Sequence, residues 1–144
     1  MKKNTIFIAF LLFLQISQAQ ETMSEKIEDK EDVSFTIIES IPIYPGCENA
    51  IDQRGCFQNK IFEHIKNNFR YPRKAYRENI QGKVIVSFVI EKDGTINVLN
   101  VKGPHELLEQ EARRIIEKMP KIIPGTQKGE PVRMTMAIPI IFRM

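Results

Sequence analysis

The chain has 144 residues, 42% of them apolar and 27% charged, with a formal net charge of +3. That length holds one domain, and that balance excludes a wholly disordered chain. The excess of base is spread thinly: residues 35–144 carry 17 bases and 12 acids, intermixed and without the clustered Arg/Lys and stacking aromatics of a nucleic-acid groove, so no nucleic-acid partner is expected.

The first nineteen residues read as a secretory signal peptide. Lys2 and Lys3 supply the positive start, Ile6 to Leu14 is an unbroken apolar run of nine residues, and Ser17-Gln18-Ala19 places small residues before a cut. A retained membrane anchor is the competing reading, but a spanning helix needs about 20 apolar residues. No cysteine follows the run, so no lipoprotein anchor is expected at this cut. The mature chain should begin near Gln20, without a retained anchor, in the periplasm.

Residues 20–41 form an acidic lead. From Gln20 to Ser34 six acids face two lysines, a balance of −4, with no sustained apolar period, which predicts a flexible segment. Within it, Val33-Ser34-Phe35-Thr36-Ile37-Ile38 has the makings of a strand. Pro42, Pro45 and Gly46 then force an irregular path into a loop that holds Cys47 and Cys56.

Export bears on those cysteines, because an oxidising compartment favours a disulfide between them. Bridging so short a loop contributes about 2 to 3 kcal/mol on the chain-entropy model. Free buried thiols are a second reading. Metal or redox chemistry is a third: the spacing is not Cys-x-x-Cys, and two thiolates with only His64 and His105 make a poor zinc set, so no metal and no cofactor are expected.

Phe57, Ile61, Phe62, Ile65 and Phe69 recur at helical spacing and predict an amphipathic helix ending before Tyr71-Pro72. Pro72 suits the first turn of a second short helix to about Glu78. Val84, Val86, Phe88 and Ile90 then alternate on one face, Glu91-Lys92-Asp93-Gly94 supplies a turn, and Ile96 to Val101 returns as the second strand of a hairpin. Gly103-Pro104 ends it. Leu108, Ala112, Ile115 and Met119 define another helix, stopped by Pro120. Val132, Met134, Met136, Ile138, Ile140 and Phe142 hold strict period two, predicting a long half-buried final strand. Pro139 lies within it and cannot donate to a ladder, so this strand should have an open edge. A right-handed crossover that skips the first strand gives an α+β fold: a three-stranded antiparallel sheet of order 2-1-3 with two main helices on one face.

Taken in order, Tyr71-Pro72 with Ala75, Gln81-Gly82-Lys83-Val84, Phe88-Val89-Ile90, Asp93-Gly94, Glu111-Ala112, Met119-Pro120, Pro124-Gly125, Gly129, Val132 and Pro139-Ile140-Ile141-Phe142 resemble the TonB C-terminal domain family. Pro42-Ile43-Tyr44-Pro45-Gly46-Cys47-Glu48 is similar to an upstream segment of the versions from Bacteroidetes. The resemblance spans 42–144, which would be the domain. It implies an energy-transducer-like module that holds an extended segment, the Ton box, of an outer-membrane TonB-dependent receptor or another envelope protein in energy-coupled transport.

Strand addition at the last edge would use Val132, Arg133, Met134, Thr135, Met136, Ala137, Ile138, Pro139 and Ile140. The alternative is a blunted edge, or a homodimer formed by pairing two such edges. The sequence shows neither the anchor nor the proline-rich spacer of a complete TonB, so force transmission is not expected of this chain alone. No Ser, Cys, His and Asp grouping has motif spacing, and His64 and His105 read as surface residues on helical segments, so no enzyme is expected.

Overall fold

A computed structural model of the protein describes residues 39–144. The signal peptide expected over 1–19, most of the acidic lead expected over 20–41 and the strand expected over 33–38 lie outside the described residues. From Glu39 onward the order is α1 (Gln53–Asn68), α2 (Arg73–Arg77), β1 (Gly82–Ile90), β2 (Ile96–Lys102), α3 (Glu106–Glu117), β3 (Thr126–Gln127), β4 (Glu130–Pro131) and β5 (Met134–Phe142).

Three strands form the main antiparallel sheet in the order β2-β1-β5, which is the expected 2-1-3 arrangement and places the molecule in the α+β class. The alternation in β1 determines which face is covered. Val84, Val86, Phe88 and Ile90 are fully buried and meet Leu108, Ala112, Ile115 and Ile116 of α3, with Phe57 and Ile61 of α1 in the same core. At about 25 cal/mol per Å2 of apolar surface, each such side chain contributes roughly 1.5 to 3 kcal/mol when removed from water. α3 packs over β1 and β2, and α1 lies against α3. The register with β2 slips between Ser87 and Phe88, where Leu99 is the extra residue of a bulge on β2.

The hairpin turn is also an anchor. Gly94 has φ +84° and its N–H donates to the Glu91 carbonyl at 2.8 Å, while its own carbonyl accepts from the Ile122 N–H at 2.9 Å. The Thr95 hydroxyl and N–H both donate to Asp93, and these two donors hold the Asp93 carboxyl below its ordinary value. A Cβ on Gly94 would stand 2.0 Å from the Ile122 carbonyl oxygen. Glycine is therefore required on two counts, its left-handed conformation and the close approach of the chain that follows α3.

α1 begins four residues before the first apolar position of its stripe. Its first turn is polar and is made by a cap: Asp52 Oδ1 accepts from the Gly55 N–H at 2.9 Å. Cys56 on that turn is bonded to Cys47, with 5.8 Å between their Cα atoms, so the loop over 44–52 is tied to the helix.

β5 starts later than the alternation suggests. Val132 donates to the Gly125 carbonyl at 2.9 Å, closing the β3–β4 hairpin, and Arg133 Nε reaches Glu91 Oε2 at 3.0 Å. Val132 and Arg133 therefore stand outside the strand, because their backbone and side chain are committed to the hairpin base and to the β1–β2 turn. The ladder opens with Met134 opposite Ile90.

Two substitutions probe these anchors. Gly94→Ala should lower the unfolding free energy by more than about 1 kcal/mol in urea denaturation. Replacing Cys47 and Cys56 together by serine should lower it by about 2 to 3 kcal/mol under oxidising conditions, and adding reductant to the parent protein should produce the same loss.

Candidate functional site: the free edge of β5 and its groove

Pro139 sits opposite Ile85 in a register that runs without a shift from Gly82–Phe142 to Ile90–Met134. In an antiparallel ladder the N–H and C=O of one residue face the same side, and the side alternates along the strand. A proline has no N–H to exchange, so Pro139 takes an outward position. Ala137 and Ile141, two residues away on either side, share that position. Among the described residues no strand pairs with this side of β5. The edge thus presents the N–H groups of Ala137 and Ile141 and the carbonyls of Ala137, Pro139 and Ile141. The intervening residues, Met136, Ile138 and Ile140, turn their backbone groups to β1.

Beside the edge lies a groove of about 300 Å3, floored by Met136 to Pro139 and walled by Phe57, Gln58, Ile61, Phe62 and Ile65 of α1. Its lining is mostly apolar. Phe62 is 69% exposed, so a large aromatic ring stands in solvent on the groove wall. The sequence places Phe62 on the buried stripe of α1, and the structure corrects that. At about 100° per residue, Phe62 lies roughly 140° around the helix from Phe57, too far for both to meet one core. The adjacent pair Ile61-Phe62 was the signal: two neighbouring apolar residues make a stripe wider than a single packing face needs.

The position of α1, and so of the groove, is held at both ends. At its start is the disulfide. At its end, Arg114 of α3 donates through Nη2 to the Asn68 carbonyl at 2.6 Å and through Nε to Glu111 at 2.8 Å, while Glu111 accepts from the Arg70 N–H at 2.9 Å. The hydrogen-bonded carboxylate raises the Arg114 pKa above its ordinary value. Halfway along, His64 Nε2 is 2.8 Å from the Ile115 carbonyl and Asn68 Nδ2 is 3.3 Å from His64 Nδ1. A carbonyl only accepts, so Nε2 donates to it and the ring bridges α1 and α3. His105 is the N-cap of α3, its Nδ1 accepting from the Leu107 N–H at 3.1 Å. Neither histidine is the bare surface residue expected from sequence, since each ring completes a backbone hydrogen bond at or between helices.

A larger depression of about 470 Å3 is bounded by Tyr71, Arg73, Tyr76 and Arg77. It borders an aromatic cluster in which Phe69 and Tyr71 pack on Phe142, with ring centroids 5.0 and 5.8 Å away. It has no backbone edge. The smaller groove is the better candidate because it combines an open ladder with an apolar wall. Among the described residues, no group of three His, Cys, Asp or Glu side chains could hold a metal, and no helix is long and apolar enough to cross a membrane.

Residues 67–144, from the last turn of α1 to the C-terminus, match the family described as Gram-negative bacterial TonB protein C-terminal. The chain belongs to that family. Two NMR structures of the Helicobacter pylori TonB C-terminal domain are similar to it. The one of residues 179–285 is 26% identical, with 61% of this chain and 82% of that chain covered and a TM-score of 0.41. The one of residues 194–285 is 28% identical, with 58% and 91% covered and a TM-score of 0.35. No curated protein matches the chain. The TonB C-terminal family is a transport-related envelope domain that in general serves TonB-dependent transport and meets outer-membrane receptors.

The two sides of β5 are separable by proline scanning. Ala137→Pro removes only an outward N–H and should change the unfolding free energy by less than about 1 kcal/mol, whereas Ile138→Pro removes a ladder bond to β1 and should cost about 2 to 3 kcal/mol in the same urea titration.

Proposed function

We propose that this TonB C-terminal domain is an exported periplasmic module, freed of its signal segment near Ala19, that binds an extended segment of an outer-membrane TonB-dependent receptor or another envelope protein. The segment adds as a strand to the outer side of β5, over Met134 to Ile141. The observation that carries this reading is Pro139, which keeps its place in the ladder while leaving the outer side open.

Two kinds of interaction divide the work. Backbone pairing with Ala137 and Ile141 supplies hydrogen bonds worth about 0.5 to 1.5 kcal/mol each, with little regard for sequence. Alternate side chains of the bound segment fall on the helix side of the sheet and enter the groove below Phe62, where apolar contact adds about 25 cal/mol per Å2 and prefers aliphatic or aromatic residues. Ordering both chains opposes these gains, so a short segment should bind reversibly rather than tightly. The open edge also favours a second reading, in which two copies pair edge to edge as a homodimer.

Titration of the mature protein with a receptor-derived peptide, followed by NMR, tests the first reading. The amide signals of Ala137 and Ile141 should shift. Ala137→Pro should weaken binding about fivefold, the equivalent of one hydrogen bond near 1 kcal/mol, and Phe62→Asp should weaken it further. Peptide binding that leaves both amides and both variants unaffected would place the segment elsewhere. Light scattering decides the second reading: a stable dimer indifferent to peptide sinks capture by this edge.

A further inference from the structure

The three strands of the main sheet contain no aspartate or glutamate, and their only charged residues are Lys83 and Lys102. Both lie on the face that the helices leave bare. Lys83, Ile85 and Ser87 alternate with the buried Val84, Val86 and Phe88, so they point away from α1 and α3. Partners across an antiparallel ladder share a face: Ile141 is opposite Lys83, while Pro139 and Lys102 flank Ile85 on its two sides. Ile85 is 41% exposed, Ile141 59% and the bulged Leu99 46%. Arg143 is exposed immediately beyond β5. Among the described residues no carboxylate pairs with Lys83, Lys102 or Arg143. Toward the hairpin turn the same face is closed, with Val89 fully buried and Arg133 engaged by Glu91 at 3.0 Å.

Unpaired cations set among aliphatic tips, with no acid in the strands, select an anionic partner that also accepts apolar side chains. Single-stranded nucleic acid stacks its bases on aromatic rings, and this face has none. Specific protein interfaces gather aromatic residues and methionine and are depleted in lysine, whereas here the strand charges are lysines and the large apolar groups are Ile and Leu. A lipid surface fits this composition. Lysine stems lie along apolar surface while their ammonium groups stay among the headgroups, and short aliphatic tips reach the acyl boundary.

We infer that the bare face of the sheet docks on an anionic lipid bilayer, with Ile85, Leu99 and Ile141 at the headgroup boundary and Lys83, Lys102 and Arg143 on the lipid phosphates. The open backbone of β5 lies at the side of the sheet and the α1 groove on its opposite face, so lipid docking leaves both accessible. The docking stands whether or not a peptide binds at that edge.

The chain contains no tryptophan, so single replacements report where lipid makes contact. In the mature protein, Ile141→Trp puts the reporter on the bare face and Phe62→Trp puts it on the helix layer, both at exposed positions. Phosphatidylglycerol vesicles should blue-shift the emission of the Ile141 variant and leave that of the Phe62 variant unchanged, and phosphatidylcholine vesicles should move neither. Sedimentation with phosphatidylglycerol vesicles then measures the charges. Lys83→Gln with Lys102→Gln should weaken binding roughly 25-fold, about fivefold per cation. Arg113→Gln with Lys118→Gln makes the same charge change at exposed positions on and just after α3, and should weaken it less than about threefold. A blue shift at position 62 without one at 141, equal losses in the two charge variants, or no vesicle binding by the parent each overturns the inference. Binding to polyglutamate but not to the vesicles also overturns it, and assigns the face to an acidic polypeptide.

Discussion

Val84, Val86, Phe88 and Ile90 bring four consecutive apolar side chains to one face of β1, and the rest of the molecule is arranged by the need to cover them. A single strand cannot do so. β2 and β5 pair with β1 on either side, and α3 and α1 close the face above it. Because β1 is central, its backbone is satisfied on both sides. The cost of an open ladder is passed outward to β2 and β5.

β5 meets that cost unevenly. Its inner side is saturated by β1, while its outer side is interrupted by Pro139 at the middle of the exposed stretch. Proline there limits how many hydrogen bonds any neighbour can gain, and so disfavours long, rigid pairing of the kind that propagates into aggregates. It still leaves donors at Ala137 and Ile141. In the proposed reading the same residue that blunts the edge also limits the length of the docking site, so that protection and recognition need not be opposed.

The groove exists because α1 is displaced toward that edge and kept there. The Cys47–Cys56 bond holds its first turn, the His64–Ile115 bridge its middle, and the Arg114–Glu111 pair its end. The two polar contacts are partly exposed and each alone is worth little beside the disulfide. Together they leave the helix one position, and this keeps Phe62 standing beside β5 rather than turned into the core.

Much of this was legible in the chain itself. Period two in β1 and β5, period 3.6 in α1 and α3, the Asp93-Gly94 turn and the stop at Pro120 are local patterns, and short connections between such elements allow few sheet orders. Pro139 by itself marked an open edge, since a missing donor is a property of the residue wherever it lies. Three features depended on residues distant in sequence. Val132 and Arg133 match the alternation of β5 but leave the strand, because Gly125 and Glu91 hold them. His64 looks like a surface residue until Ile115, 51 positions away, is placed beside it. Phe62 fits the α1 stripe, and only the packing of α1 on α3 decides which part of that stripe is buried. Local periodicity reports how a segment can fold, whereas burial depends on what comes to lie against it, and that is settled only when the whole chain is assembled.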